Sequence, residues 1–73
     1  MSTTGNLLVE SADSFGVVRV DVGTGPKRHS QTGVIRVLEA NGLKGLAEDV
    51  RAGKTVDVGL RQEVFDKLKK VFG

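Results

Sequence analysis

The segment from Leu60 to Phe72 (L-R-Q-E-V-F-D-K-L-K-K-V-F) sets Val64, Phe65, Leu68, Val71 and Phe72 along one helical face. A short helix of this kind persists only when its apolar stripe is covered, so the rest of the chain must supply an apolar surface. Glu63 with Lys67 and Asp66 with Lys70 are acid-before-base pairs one turn apart, and the lysines come late, where they favour the helix dipole.

The receiving surface is read from Phe15 to Val22 (F-G-V-V-R-V-D-V). Val18, Val20 and Val22 fall on one side of a strand, and Val17, Arg19 and Asp21 on the other. Asn6 to Ser11 is a second short apolar run, and the polar trio Ala12-Asp13-Ser14 between the two predicts a hairpin. Lys54 to Val58 alternates as a further short strand.

Residues 33–40 (G-V-I-R-V-L-E-A) fit two periods. Val34, Ile35, Val37 and Leu38 make a helical stripe, but three of these four are β-branched and favour a strand. Internal echoes decide for the strand. Gly16-Val17-Val18-Arg19-Val20 is repeated in type by Gly33-Val34-Ile35-Arg36-Val37, and Val20-Asp21-Val22-Gly23 by Val56-Asp57-Val58-Gly59. Beyond Asn41-Gly42, residues Leu43, Leu46, Ala47 and Val50 recur at helical spacing, and Gly53 supplies a C-cap.

The expected fold is therefore α+β: a small, mainly antiparallel sheet of three or four strands with two helices, at 43–52 and 60–72, packed on one face. Residues 1–5 read as a flexible N-terminus and 6–73 as a single small domain. All three phenylalanines, Phe15, Phe65 and Phe72, are expected in its core.

Composition narrows the function. In 73 residues there is no cysteine, hence no disulfide, no thiolate nucleophile and no cysteine-based metal site. Absent cysteine fits a reducing cytoplasm, and M-S-T-T-G-N shows no signal-peptide pattern. No more than three apolar residues follow one another, at Leu7 to Val9, so no segment spans a bilayer as a helix. A small core without staples makes a homodimer or a partner surface a fair expectation. The net charge of +2 is slight, so the placement of charge counts for more than its sum.

Residues 23–33 (G-T-G-P-K-R-H-S-Q-T-G) hold the main candidate site. A Walker cradle or a dinucleotide fingerprint would need glycine where Arg28 stands, so both are excluded. What remains is a basic loop, Lys27, Arg28 and His29, joined by Arg19 and Arg36 if those two lie on paired strands with one facing. Arginine and lysine so placed would dock an anion. The competing reading is a solvated connector. Lys67, Lys69 and Lys70 could extend a basic patch, although the helix dipole already accounts for them.

Other motifs fall away. The RNA-recognition signature is met at Phe15, Gly16 and Val18 but has Val17 and Val20 where stacking aromatics are needed. A helix-turn-helix over V-L-E-A-N-G-L-K-G-L-A-E-D-V would bury Glu48 and Arg51. The mixed charges of the last helix argue against anionic lipid. With one histidine and no ligand-spaced cluster, neither a catalytic constellation nor a metal or other cofactor is expected, and a chain this small has little room for a substrate pocket.

The function expected is that of a small non-enzymatic regulator. It would contact nucleic acid, or an acidic patch on the transcription or replication machinery, through Lys27, Arg28, His29, Arg19 and Arg36. The alternative is a protein–protein adaptor or inhibitor, or a homodimer, working through an apolar face or a sheet edge at Lys54, Val56 and Val58.

Overall fold

The computed structural model of the protein describes residues 4–73. Its elements run β1 (Thr4–Val9), β2 (Val17–Asp21), β3 (Lys27–Ser30), α1 (Gln31–Ala40), α2 (Lys44–Arg51), β4 (Val56–Arg61) and α3 (Gln62–Phe72). The strands form one four-stranded antiparallel sheet in the order β3-β2-β1-β4, and the fold is α+β with three helices.

The pleat gives this sheet two unlike sides. Leu7 and Val9 of β1, Val18 and Val20 of β2 and Val56 of β4 are buried on one side, beneath the helices. Cross-strand neighbours share a face, and Val9 lies opposite both Val20 and Val56, so the apolar rows align across three strands. Arg19, Asp57 and Asn6 occupy the other, helix-free side and are exposed. The core is completed by Val22, Val34, Leu38, Ala47, Val50, Phe65, Leu68 and Phe72, and no polar or charged residue is buried among the described residues.

Two expectations about elements are corrected. Residues 33–40 are not a strand but most of α1. Ser30 stops the extended chain and caps the helix, its hydroxyl accepting the Gly33 N–H at 3.0 Å. Val34 and Leu38, one turn apart, then bury together, and that pairing overrides the β preference of their side chains. The Lys27-Arg28-His29 segment is not a loop but β3, paired with β2 from Val17↔Ser30 to Val20↔Lys27.

The remaining boundaries shift modestly. The last strand begins at Val56 rather than Lys54, because the Lys54 N–H is spent on the Asp49 carbonyl in closing α2. Helices α1 and α2 end alike. Gly42 and Gly53 adopt left-handed φ of 74° and 78°, and the residues after them, Leu43 and Lys54, donate back to Leu38 and Asp49. The first strand starts at Thr4, inside the segment expected to be flexible, whereas residues 1–3 lie outside those described.

Helix α3 crosses the sheet's apolar side. Phe65 rests directly over Gly5, where a β-carbon would overlap its ring. This close approach is possible only over glycine. No helix among the described residues is long and apolar enough to cross a membrane.

Candidate functional site on the open sheet face

The loop G-T-G-P turns the chain between β2 and β3, with Gly23 N–H donating to Asp21 Oδ1 at 2.7 Å. Its basic residues then alternate across the sheet. Lys27 and His29 lie opposite Val20 and Val18 and so share the helix side, while Arg28 lies opposite Arg19 on the open side. The expected cluster is thus divided by the pleat.

Lys27 and His29 serve the end of α3. The Lys27 ammonium donates to the Gly73 carbonyl oxygen at 2.7 Å, and His29 Nε2 lies 3.2 Å from the Phe72 carbonyl oxygen. The His29 and Phe72 rings also meet edge-on, with centroids 5.2 Å apart. The last carbonyls of a helix lack partners within it, and two side chains of β3 supply them.

Arg36 is removed from the group altogether. It sits on α1, in a groove of about 390 Å³ lined by Gln31, Thr32, Ile35, Glu39 and Arg51. Arg51 in that groove is already engaged, with Glu48 and, at 3.4 Å, with Glu39. The Glu48 hydrogen bond foremost, then the Glu48 charge and the Glu39 hydrogen bond, raise the arginine's pKa. The paired helices α1 and α2 present mixed charge on this side, where Arg51 is paired with acids and the exposed Arg36 makes no ion pair among the described residues.

Arg19 and Arg28 are the two candidates brought together. They oppose each other across the β2–β3 ladder, at the Cα separation of about 4.5–5.5 Å that antiparallel neighbours share. Both line a shallow hollow of about 330 Å³ with Glu10, Ser11, Asp13 and Val17. Neither arginine has a carboxylate within ion-pair distance among the described residues, where both ion pairs belong to Arg51.

Of the neighbouring acids, Glu10 is exposed in the same hollow and its carboxylate has no hydrogen-bond partner among the described residues, while three others are occupied by neutral donors. Asp21 holds the Gly23 N–H, and Asp57 accepts from Asn6 Nδ2 at 2.9 Å. Asp13 accepts the N–H groups of Phe15 and Val17 at 2.8 and 3.0 Å. These bonds, that of Val17 foremost, hold the Asp13 carboxyl below its ordinary pKa, and the charge of Arg28 adds a smaller push the same way.

The same turn overturns the expectation for Phe15. The side chain is 86% exposed, whereas Phe65 and Phe72 are buried as expected. Asp13 and Gly16 close a four-residue turn, the Gly16 N–H donating to the Asp13 carbonyl at 3.2 Å, and Phe15 occupies its third position. Aspartate first and glycine fourth is itself a turn signature. Read that way, D-S-F-G would have placed the ring outside the core.

The other candidates stay separate. Lys67, Lys69 and Lys70 are exposed on α3. The ion pairs expected with Glu63 and Asp66 do not form, and Asp66 accepts from Gln62 at 2.6 Å instead. Lys54 is exposed ahead of β4, Val56 is buried and Val58 half-buried beneath the helices. No group of three or more histidine or acidic side chains comes together as metal ligands would among the described residues. Comparison with protein-family models, curated proteins and solved structures finds no match.

Proposed function

We propose that the protein is a small non-enzymatic binding module whose open sheet face contacts nucleic acid. The observation that carries this reading is the opposed pair Arg19 and Arg28, neither of which makes an ion pair among the described residues. Like charges directly opposite on a sheet oppose folding. A bound phosphate would offset that repulsion, and guanidinium groups bond phosphate oxygens in pairs.

Phe15 favours nucleic acid over an acidic protein surface as the partner. An exposed ring on a turn braced by two hydrogen bonds can stack on one base of a single strand while the arginines hold its backbone. Lys27 and His29 drop out of this reading because α3 occupies them.

Fluorescence anisotropy with a labelled single-stranded oligonucleotide tests it. Binding should weaken as salt rises, with a log–log slope of roughly −1.4 for two neutralised phosphates. Arg19→Glu and Arg28→Glu should each lower affinity about tenfold, Phe15→Ser several-fold, and Lys69→Glu little. Unchanged affinity in both arginine variants, or no binding at low salt, would remove the proposal. Capture of polyglutamate in place of the oligonucleotide would redirect it to an acidic protein.

A further inference from the structure

Strand β4 forms one edge of the sheet. All six of its residues are in register with β1 on the inner side, from Thr4↔Arg61 to Val9↔Val56. On its outer side no strand lies beside it among the described residues. Along the strand Val56, Val58 and Leu60 face the helices, and Asp57, Gly59 and Arg61 face the open side. Cover thins toward one end: Val56 is buried, whereas Val58 and Leu60 are only half-buried. Such an edge is a template for another strand.

We propose that a second copy of this chain adds there, the two β4 strands running antiparallel about Gly59, with Asp57 of each copy opposite Arg61 of the other. The pleat and the symmetry leave few registers. Opposed residues must share a face, and a twofold axis normal to the sheet sets one residue against its own copy. Centring on Asp57 opposes two carboxylates. Centring on Val58 sets Asp57 against Gly59, and centring on Leu60 sets Gly59 against Arg61, so neither joins opposite charges.

Centring on Gly59 alone makes two reciprocal Asp57–Arg61 contacts on the open face. On the helix side it places Val58 of one copy opposite Leu60 of the other, covering the two side chains that the edge leaves half-exposed. A β-carbon at Gly59 would meet nothing within the chain, so the crossing point is unobstructed.

Both charged groups are placed for this. Asn6 holds one oxygen of Asp57 at 2.9 Å, and the other has no partner among the described residues. Arg61 likewise has no carboxylate partner there. The pairing would join two open faces into one eight-stranded surface, although it depends on nothing in the nucleic-acid reading.

Sedimentation equilibrium over a hundredfold concentration range tests the edge, with circular dichroism confirming that each variant is folded. The wild-type chain should dimerise reversibly. Asp57→Arg or Arg61→Asp, each setting like charges opposite one another, should raise the dissociation constant tenfold or more. Mixed in equal amounts, these two variants should associate as the wild type does, because every contact then joins opposite charges. The double exchange D57R/R61D should also dimerise, and it keeps the test open if Asp57→Arg alone fails to fold. A wild-type chain that stays monomeric throughout, single variants that dimerise undiminished, or a folded mixture that stays monomeric would overturn the proposal.

Discussion

The imidazole of His29 meets the ring of Phe72 edge-on at 5.2 Å while its Nε2 reaches the Phe72 carbonyl oxygen. A residue of an edge strand thereby closes a helix distant in sequence. His29→Ala should loosen the last turn of α3 and cost about 1 kcal/mol, the net worth of one partly buried hydrogen bond. Faster amide exchange at Val71, Phe72 and Gly73, together with a lower denaturation midpoint, would register this. Unaltered exchange there would show that the helix end holds without β3.

Gly5→Ala should destabilise the fold by roughly 1–3 kcal/mol, the usual cost of overfilling a packed core. The added methyl would enter the space of the Phe65 ring, which is itself buried. Urea denaturation gives the number. Gly45→Ala is the control, since a β-carbon there meets nothing within the chain and the position lies outside the proposed interfaces.

Ser30 ends β3 and caps α1, so it governs where strand gives way to helix. Ser30→Ala should cost about 1 kcal/mol and Ser30→Asp little, because aspartate also caps. Thermal melts of the two variants should separate accordingly. Equal melting temperatures would show that burial of Val34 and Leu38 alone starts the helix.

The Asp13 carboxylate predicts an acid-sensitive turn. Its pKa is lowered on folding, first by the Val17 N–H and then by the Phe15 N–H. A lowered carboxyl pKa stabilises the fold above the ordinary aspartate value of about 3.9, and that contribution fades as pH falls through the folded value. The Phe15 and Val17 amide resonances should therefore shift together below that range. Asp13→Ala should abolish the titration, and a midpoint at or above the ordinary value would contradict the hydrogen bonds.

Much of this architecture is written in local periodicity. The alternation of Val18, Val20 and Val22, the stripe from Leu43 to Val50 and that from Val64 to Phe72 each describe a surface that must be covered; Val18, Val20, Val22, Ala47, Val50, Phe65, Leu68 and Phe72 are buried, whereas Val71 of the last stripe stays 55% exposed. These elements are legible because one-sided burial needs only the spacing of apolar residues, which a linear chain displays.

Long-range pairing is not displayed in that way. Val34-Ile35-Arg36-Val37 suits either period, and its helix follows from the Ser30 cap and from Leu38 burying alongside Val34. Lys27-Arg28-His29-Ser30 has no apolar pattern, and its extended form comes from the ladder with β2. That register sends Arg28 to Arg19 and turns Lys27 and His29 toward α3, dividing residues that are adjacent in the chain. Spacing along a chain states which residues need cover. Which charges meet depends on strand register and helix docking, and these are settled by contacts between segments far apart in sequence.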